Sequence, residues 1–330
     1  MKPLDFIAAI ELAYDRSRGD TDWLDDITRL VAPAFSSGPP TTSFFFNLTG
    51  QDAVLGKTSS VGDRTYGRDD YARLHEEGKA IQISPRIAYE CDVIAVLSRV
   101  IGPQAAAQMI GSAGMVGVDA LGLRANTTSE SGIIFTTFVS PGYRIRHRNL
   151  WTRFAAHVGS ALRLRRTHAA HAPDSASAVL SPLGRLEHGS EAAIAARKDL
   201  AGAAKDMDRA RGKLRRLDPD AASALWRAMV RGEWSLVDWY DHDGKRFVLA
   251  QSNKVPVRSQ QALTEREQQV VACAAMGHSN KLIAYDLGLS TGSVSVILRR
   301  AATKLGVSGR TALIRAFRES RGGPSGSGRS

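Results

Sequence analysis

Apolar residues return along this chain in two rhythms, and the points where the rhythm changes divide it. From Phe6 to Asp15 and from Thr21 to Ala34 they recur every three or four positions, the period of a helix with one buried face; Asp20 or Thr21 stands where the second needs a cap. The run TTSFFFNLTG, ended by Gly50, is β-rich. Helical patterns follow around Asp69 to Glu77 and Val93 to Gly111. The segment VDALGLRANTTSESGIIFTTFVSP reads as two strands around a polar turn, and Arg146 to Arg166 as a long helix. Residues 1–168 therefore form an α+β unit.

A second α+β unit is expected over residues 177–254. Ala193, Ala196, Leu200, Ala203, Met207, Ala210, Leu214 and Leu217 fall at alternating steps of three and four, with charged residues between them. Such a seam suits a two-stranded coiled coil or a helix packed on its own domain. Half the seam is alanine and Gly202 and Gly212 interrupt it, which favours the packed helix. A helix containing Leu225, Trp226 and Met229 follows, then WSLVDWY and KRFVLAQ joined by DHDG, a strong hairpin signal.

From residue 260 to 320 the pattern is purely helical. Thr264 and Glu267 form a capping box ahead of Val270, Val271 and Ala274, and Gly277 supplies a left-handed stop. Ser279 caps a short helix with Ile283 and Leu287 on one face, and Gly288 makes the turn. Ser290 or Thr291 caps the next, on which Val294, Ile297, Leu298, Ala301 and Leu305 form the buried stripe. Ser295, Val296, Arg299, Arg300 and Thr303 are left pointing outward, the two arginines on one continuous strip. Gly306 ends that helix; Ser308 opens a fourth carrying Leu313, Ile314 and Phe317. A helix, a tight turn and a helix with a bare basic face is the helix-turn-helix arrangement.

Charge points the same way. The net charge is +11, and residues 254–330 hold twelve basic against four acidic residues, so eight of the eleven charges sit on the smallest unit. A basic excess confined to one module is the electrostatic footprint of a nucleic-acid binder. The segments 167–178, 251–261 and 321–330 read as linker, connector and disordered tail. No stretch is long and apolar enough for a membrane span, and the acidic, interrupted N-terminal run suggests a cytoplasmic protein.

Little else carries chemistry. Cys91 and Cys273 read as reduced core residues. Gly111, Gly114 and Gly117 lack the strand-then-helix context of a phosphate loop, and Asp25 and Asp26 lie in a helical pattern where a phosphate-accepting receiver needs a strand end. His147, His157, His168 and His171 have no acid or cysteine at ligand spacing and read as solvated. Trp23, Trp151, Phe44, Phe45 and Phe46 read as core. No cofactor, metal or enzymatic activity is expected.

The residues L-T-x-R-E at 263–267, G-x-S-N-K-x-I-A at 277–284, L-x-x-S at 287–290, K-L-G-V at 304–307 and Arg310 together resemble the LuxR/FixJ/GerE type of DNA-binding domain. The resemblance covers about 55 of 330 residues. It implies that Glu267 ties helices together, that Lys281 touches phosphate, that the third helix reads DNA and that Leu313, Ile314 and Phe317 make a dimer contact. The family's Thr-Val-Lys-x-His is here Ser293-Val294-Ser295-Val296-Ile297, which removes a basic and a polar group. Arg299 is then the candidate for a guanine edge, with Ser295, Val296 and Arg300 beside it. Arg300, Lys304, Lys281 and Arg310 suit phosphates, as do the backbone N–H groups of Thr291, Gly292 and Ser293.

Residues 1–168 resemble the GAF group of sensor domains and 177–254 the PAS group. The expected whole is a multidomain, homodimeric transcription regulator: α+β sensory units that take an unknown effector, then a four-helix module for double-stranded DNA, with RNA polymerase a further candidate partner. Two alternatives stay open: an interaction protein whose helix-turn-helix no longer reads bases, and a signalling enzyme fused to a DNA module.

Overall fold

In the computed structural model the described residues are 4–15, 17–35, 38–49, 51–127, 130–167, 176–226, 229–230, 234–240, 243–252, 263–305, 307 and 309–319. Most of the expected linker and connector, the tail, the DH of the hairpin turn, His168, His171, Gly50, Gly306 and Ser308 lie outside them.

The first unit begins with α1 (Phe6–Tyr14) and α2 (Asp20–Phe35). Asp5 caps α1 by accepting the Ala8 N–H. The strands are β1 (Thr41–Thr49), β2 (Asp52–Val61), β3 (Ile94–Val96), β4 (Asp119–Asn126) and β5 (Ser131–Val139), antiparallel in the order β2-β1-β5-β4-β3. Between β2 and β4 come α3 (Arg68–Ala80), α4 (Pro85–Glu90), α5 (Leu97–Ile101) and α6 (Pro103–Ser112), and α7 (Arg148–Thr167) closes the unit. Strands β2 and β3 were not legible. β2 is half polar with only Leu55 and Ser59 buried, and β3 has only three residues, so a helical pattern over 93–111 hid it.

The sheet is buried on both faces. Ile133 and Phe135 of β5 pack toward Ile27, Val31 and Phe154 of the long helices. Phe44, Phe46 and Phe138 pack instead with Tyr71, Tyr89 and Ile110, under α3, α4 and α6. Trp23 and Trp151 are core residues as expected.

The second unit repeats the strand order. Here β6 (Ala178–Leu180), β7 (Leu186–Gly189), β8 (Met229–Val230), β9 (Trp234–Tyr240) and β10 (Arg246–Ser252) pair as β7-β6-β10-β9-β8. The hairpin is in the expected register, Tyr240 opposite Arg246 and Trp234 opposite Ser252. The heptad seam is no coiled coil. It breaks into α8 (Glu191–Ala195), α9 (Arg197–Arg209), a π turn (Ala210–Leu214) with non-helical Gly212, and α10 (Arg215–Leu217). Ala193, Leu200, Ala203, Met207 and Ala210 are buried against their own unit, while Leu217 is 80 % exposed. A kinked helix cannot keep one seam facing a partner. Next, α11 (Pro219–Leu225) stops before Met229, which is a strand residue.

The two units share one continuous core from Phe6 to Ala250 and act as a single body. Ion pairs cross between them: Arg211 reaches Glu11 of α1 at 2.6 Å, also pairs with Asp238, and lies 4.7 Å over the Trp226 ring, and Arg215 pairs with Asp5.

The C-terminal helices are α12 (Glu265–Ala275), α13 (Asn280–Leu287), α14 (Thr291–Lys304) and α15 (Arg310–Glu319). They have a separate core, with Val270, Ile283, Val294, Ala301 and Leu313 at its centre. No single described helix is long and apolar enough to cross a membrane.

Candidate nucleic-acid interface

Local chemistry fixes the module's turns. The Thr264 hydroxyl takes the Glu267 N–H and the Glu267 carboxylate takes the Thr264 N–H at 2.8 Å, so α12 starts where its capping box stands. Ser279 and Ser290 cap α13 and α14 with their hydroxyls, accepting the Leu282 and Ser293 N–H groups. Gly277 (φ +82°) and Gly288 (φ +60°) carry the chain through left-handed conformations that a side chain would strain. As a result α13 and α14 meet at 104° across a three-residue turn, within the helix-turn-helix range.

On α14 the apolar stripe is inward and the basic strip outward. Val294, Leu298 and Ala301 are buried; Thr291, Gly292, Ser293, Ser295, Arg299, Arg300 and Thr303 are exposed, and Val296 is half-buried. Among the described residues neither Arg299 nor Arg300 has an ionic partner. Ser295 is engaged: its hydroxyl bonds the Thr291 carbonyl and accepts from the Asn280 amide, both at 3.0 Å. Lys281 is exposed at the start of α13, beside that contact.

Two residues expected at phosphates are engaged within the module. Lys304 Nζ lies 2.7 Å from the Glu267 carboxylate and clips the end of α14 to the start of α12. Burial opposes ionisation of Glu267, but the bonds from Lys304 and Thr264 outweigh it and lower its pKa. Arg310 is half-buried, donating to Asn280 Oδ1 at 2.6 Å and to the His278 carbonyl, and burial lowers its pKa. Both make contacts that join helices of the module, Lys304 from its surface and Arg310 from a half-buried position.

The residues expected at a dimer contact are mostly packed inside the module. Leu313 (1 % exposed) and Phe317 (7 %) fill the module's own core, leaving only Ile314 of the three partly at the surface. Ile314 lines a cleft of about 630 Å³ between the module and the body.

The largest feature missed in the sequence is how the module sits. It is docked on the body by the α12–α13 turn and the outer face of α13. Arg124 and Asn126 of β4, both buried, donate to the Met276 carbonyl at 3.0 and 3.1 Å. Gly277 lies so close that a Cβ there would stand 2.7 Å from the Arg124 guanidinium. Leu282 joins the body's core.

Tyr285 sits where three parts meet. Its hydroxyl is 2.7 Å from the Ser223 carbonyl, 2.9 Å from that of Trp226 and 3.0 Å from His157 Nε2, and Arg153 stacks 5.5 Å from its ring. His157 is therefore not solvated. It is 3 % exposed, bonds Tyr14 through Nδ1 at 3.3 Å, and burial with Arg153 nearby pushes its pKa down to about 3. As a neutral ring it can donate from Nε2 and accept at Nδ1. One signal was available: Leu282 and Tyr285 lie off the face made by Ile283 and Leu287, so α13 has two apolar faces where a free helix needs one.

Residues 261–317 match the family model described as bacterial regulatory proteins, luxR family. No curated protein matches the chain. The C-terminal region is a GerE domain of that family, which supports a DNA-binding helix-turn-helix regulator.

Proposed function

We propose that this chain, through its luxR-family module, recognises a double-stranded DNA sequence with α14 in the major groove, while the attached body sets when and how the module engages. The observation that carries the reading is the open strip on α14. Two arginines without ionic partners among the described residues stand on one exposed face, at the geometry by which a helix-turn-helix enters a groove. Arg299, in mid-strip, is assigned to a guanine edge, flanked by Ser295, Val296 and Arg300. Lys281 and the backbone N–H groups of Thr291 to Ser293 are assigned to phosphates.

Regulation through the body is the second part of the reading. Both sheets follow the same serial order, the second strand beside the first, then the fifth, fourth and third, which supports reading residues 1–168 as GAF-like and 177–254 as PAS-like sensory units. A homodimer would offer two α14 helices to half-sites about 34 Å apart. Its contact would lie outside Leu313 and Phe317, which are already used. An input that changes the body would act by shifting the population of docked modules.

A binding series tests the assignment. Arg299→Ala should cost about 1–3 kcal/mol on the preferred duplex and flatten the ranking among sequences. Lys281→Ala should weaken all duplexes alike and lower the salt slope. Equal weakening on every sequence from both changes would remove Arg299 from base reading.

A further inference from the structure

We infer that the loop 143–148 of the body is a second phosphate-binding surface, which carries a bound duplex beyond the helix-turn-helix. This rests on the reading of α14 as the groove-entering helix. The loop sequence Tyr143-Arg144-Ile145-Arg146-His147-Arg148 alternates, with Tyr143 and Ile145 packed against the body's core and Arg144, Arg146 and Arg148 exposed. It is a braced loop. Arg99 donates to the Tyr143 carbonyl at 2.9 Å, the Tyr143 N–H bonds Ser140 at 3.1 Å, and the His147 carbonyl receives the Trp151 N–H at 3.2 Å. His147 is held at φ +52°, a conformation a surface loop keeps only when its surroundings enforce it. Among the described residues Arg144 and Arg146 have no carboxylate partner, so two charges are presented at fixed positions and left uncompensated.

A series of contacts links the end of this loop to the module. Arg148 pairs at 3.3 Å with Asp92, and Asp92 lines the interdomain cleft together with Ser279, Arg310 and Arg315. Arg310 bonds Asn280, and Asn280 bonds Ser295 on α14. The end of the loop thus abuts a cleft whose module side includes Ser279, the cap of α13, and in a helix-turn-helix the first helix crosses the DNA backbone when the second fills the groove. Among the described residues Asp92 is the one carboxylate in the cleft wall, against Arg310, Arg315 and Arg318. The bonds of Arg124, Asn126 and Tyr285 tie body to module, so the loop keeps its place relative to α13. Duplex DNA, with one charge per about 1.7 Å of axis, is the partner such a surface matches.

The experiment uses the full chain with Arg144→Ala and Arg146→Ala combined; both positions are exposed, so folding is spared. Binding to mixed-sequence duplexes is followed by fluorescence anisotropy across a salt series. One duplex is long enough to reach the loop, the other is trimmed to the module's own footprint. On the long duplex the double variant should bind at least about tenfold more weakly near about 0.1 M salt. Its salt slope should fall by about 1.8, because two phosphates are no longer neutralised by the protein. The trimmed duplex should bind as before. Unchanged slope and affinity on the long duplex, while Lys281→Ala still weakens it, would overturn the loop and leave the function of α14 standing. Equal weakening on both duplexes would also overturn it, since a general field would then replace local contact. A wild-type chain that binds neither duplex removes both readings.

Discussion

The outer faces of α13 and α14 are neighbours on one small module, and they have opposite fates. Both lie off the module's own core. On α14 the free face is polar and basic, and it stays open to solvent. On α13 the free face carries Leu282 and Tyr285, and the body covers it. The difference teaches that a helix face left over by the local core is a question, and its chemistry is the answer. An arginine with no acceptor in the fold keeps its solvation, whereas leucine and tyrosine find cover within the chain itself. Because the two faces are distinct, docking on the body leaves the basic strip uncovered. The body holds the module by α13 without covering α14.

The comparison can be broken first at Gly277. Ala there must adopt φ +82° and push a methyl toward Arg124, whereas Gly309, at φ +84°, has open space around it. Gly277→Ala should cost about 3 kcal/mol in thermal or denaturant unfolding, against about 1–2 kcal/mol for Gly309→Ala. Equal costs would mean that the close approach to the body contributes nothing.

Acid provides the next test. His157 is held neutral in the folded chain, with its pKa near 3, and burial lowers His75 likewise to about 4, while an unfolded histidine takes a proton near 6.5. Between those values unfolding takes up protons, so stability is complete above pH 6.5 and declines as pH falls. From pH 7 to 5, above the carboxylate range, each should remove of order 2 kcal/mol. Replacing His157 by Gln should remove its share of that slope; a slope unchanged by the substitution would place the titration elsewhere.

The smallest effect sharpens the comparison most. Tyr285→Phe keeps the ring under Arg153 and deletes only the hydroxyl, a destabilisation of about 1 kcal/mol. Hydrogen exchange should rise along α13 and α11 while the affinity of the α14 strip for a short duplex stays as it was. Exchange protection and short-duplex affinity falling in parallel would show that the two faces are not independent.

Much of the module was legible because its signals are local. Capping boxes, left-handed glycines and a period of 3.6 act within a few residues, and Thr264, Ser279, Gly288 and Ser290 stand where the sequence put them. The α+β character of the body and its central hairpin were legible for the same reason. β2 and β3 were not, since one is too polar and the other too short to leave a rhythm.

What tertiary structure alone decided is which basic residues are free and what the second face of α13 does. From sequence, Arg299, Arg300, Lys304 and Arg310 all stand as DNA contacts. Only packing brings Glu267 to Lys304 and the α13 N-terminus to Arg310, while leaving the other two in solvent. The Tyr14–His157–Tyr285 relay joins residues more than a hundred positions apart. No local pattern encodes such a meeting; it exists because the chain must satisfy a buried ring and buried carbonyls with whatever the fold brings near.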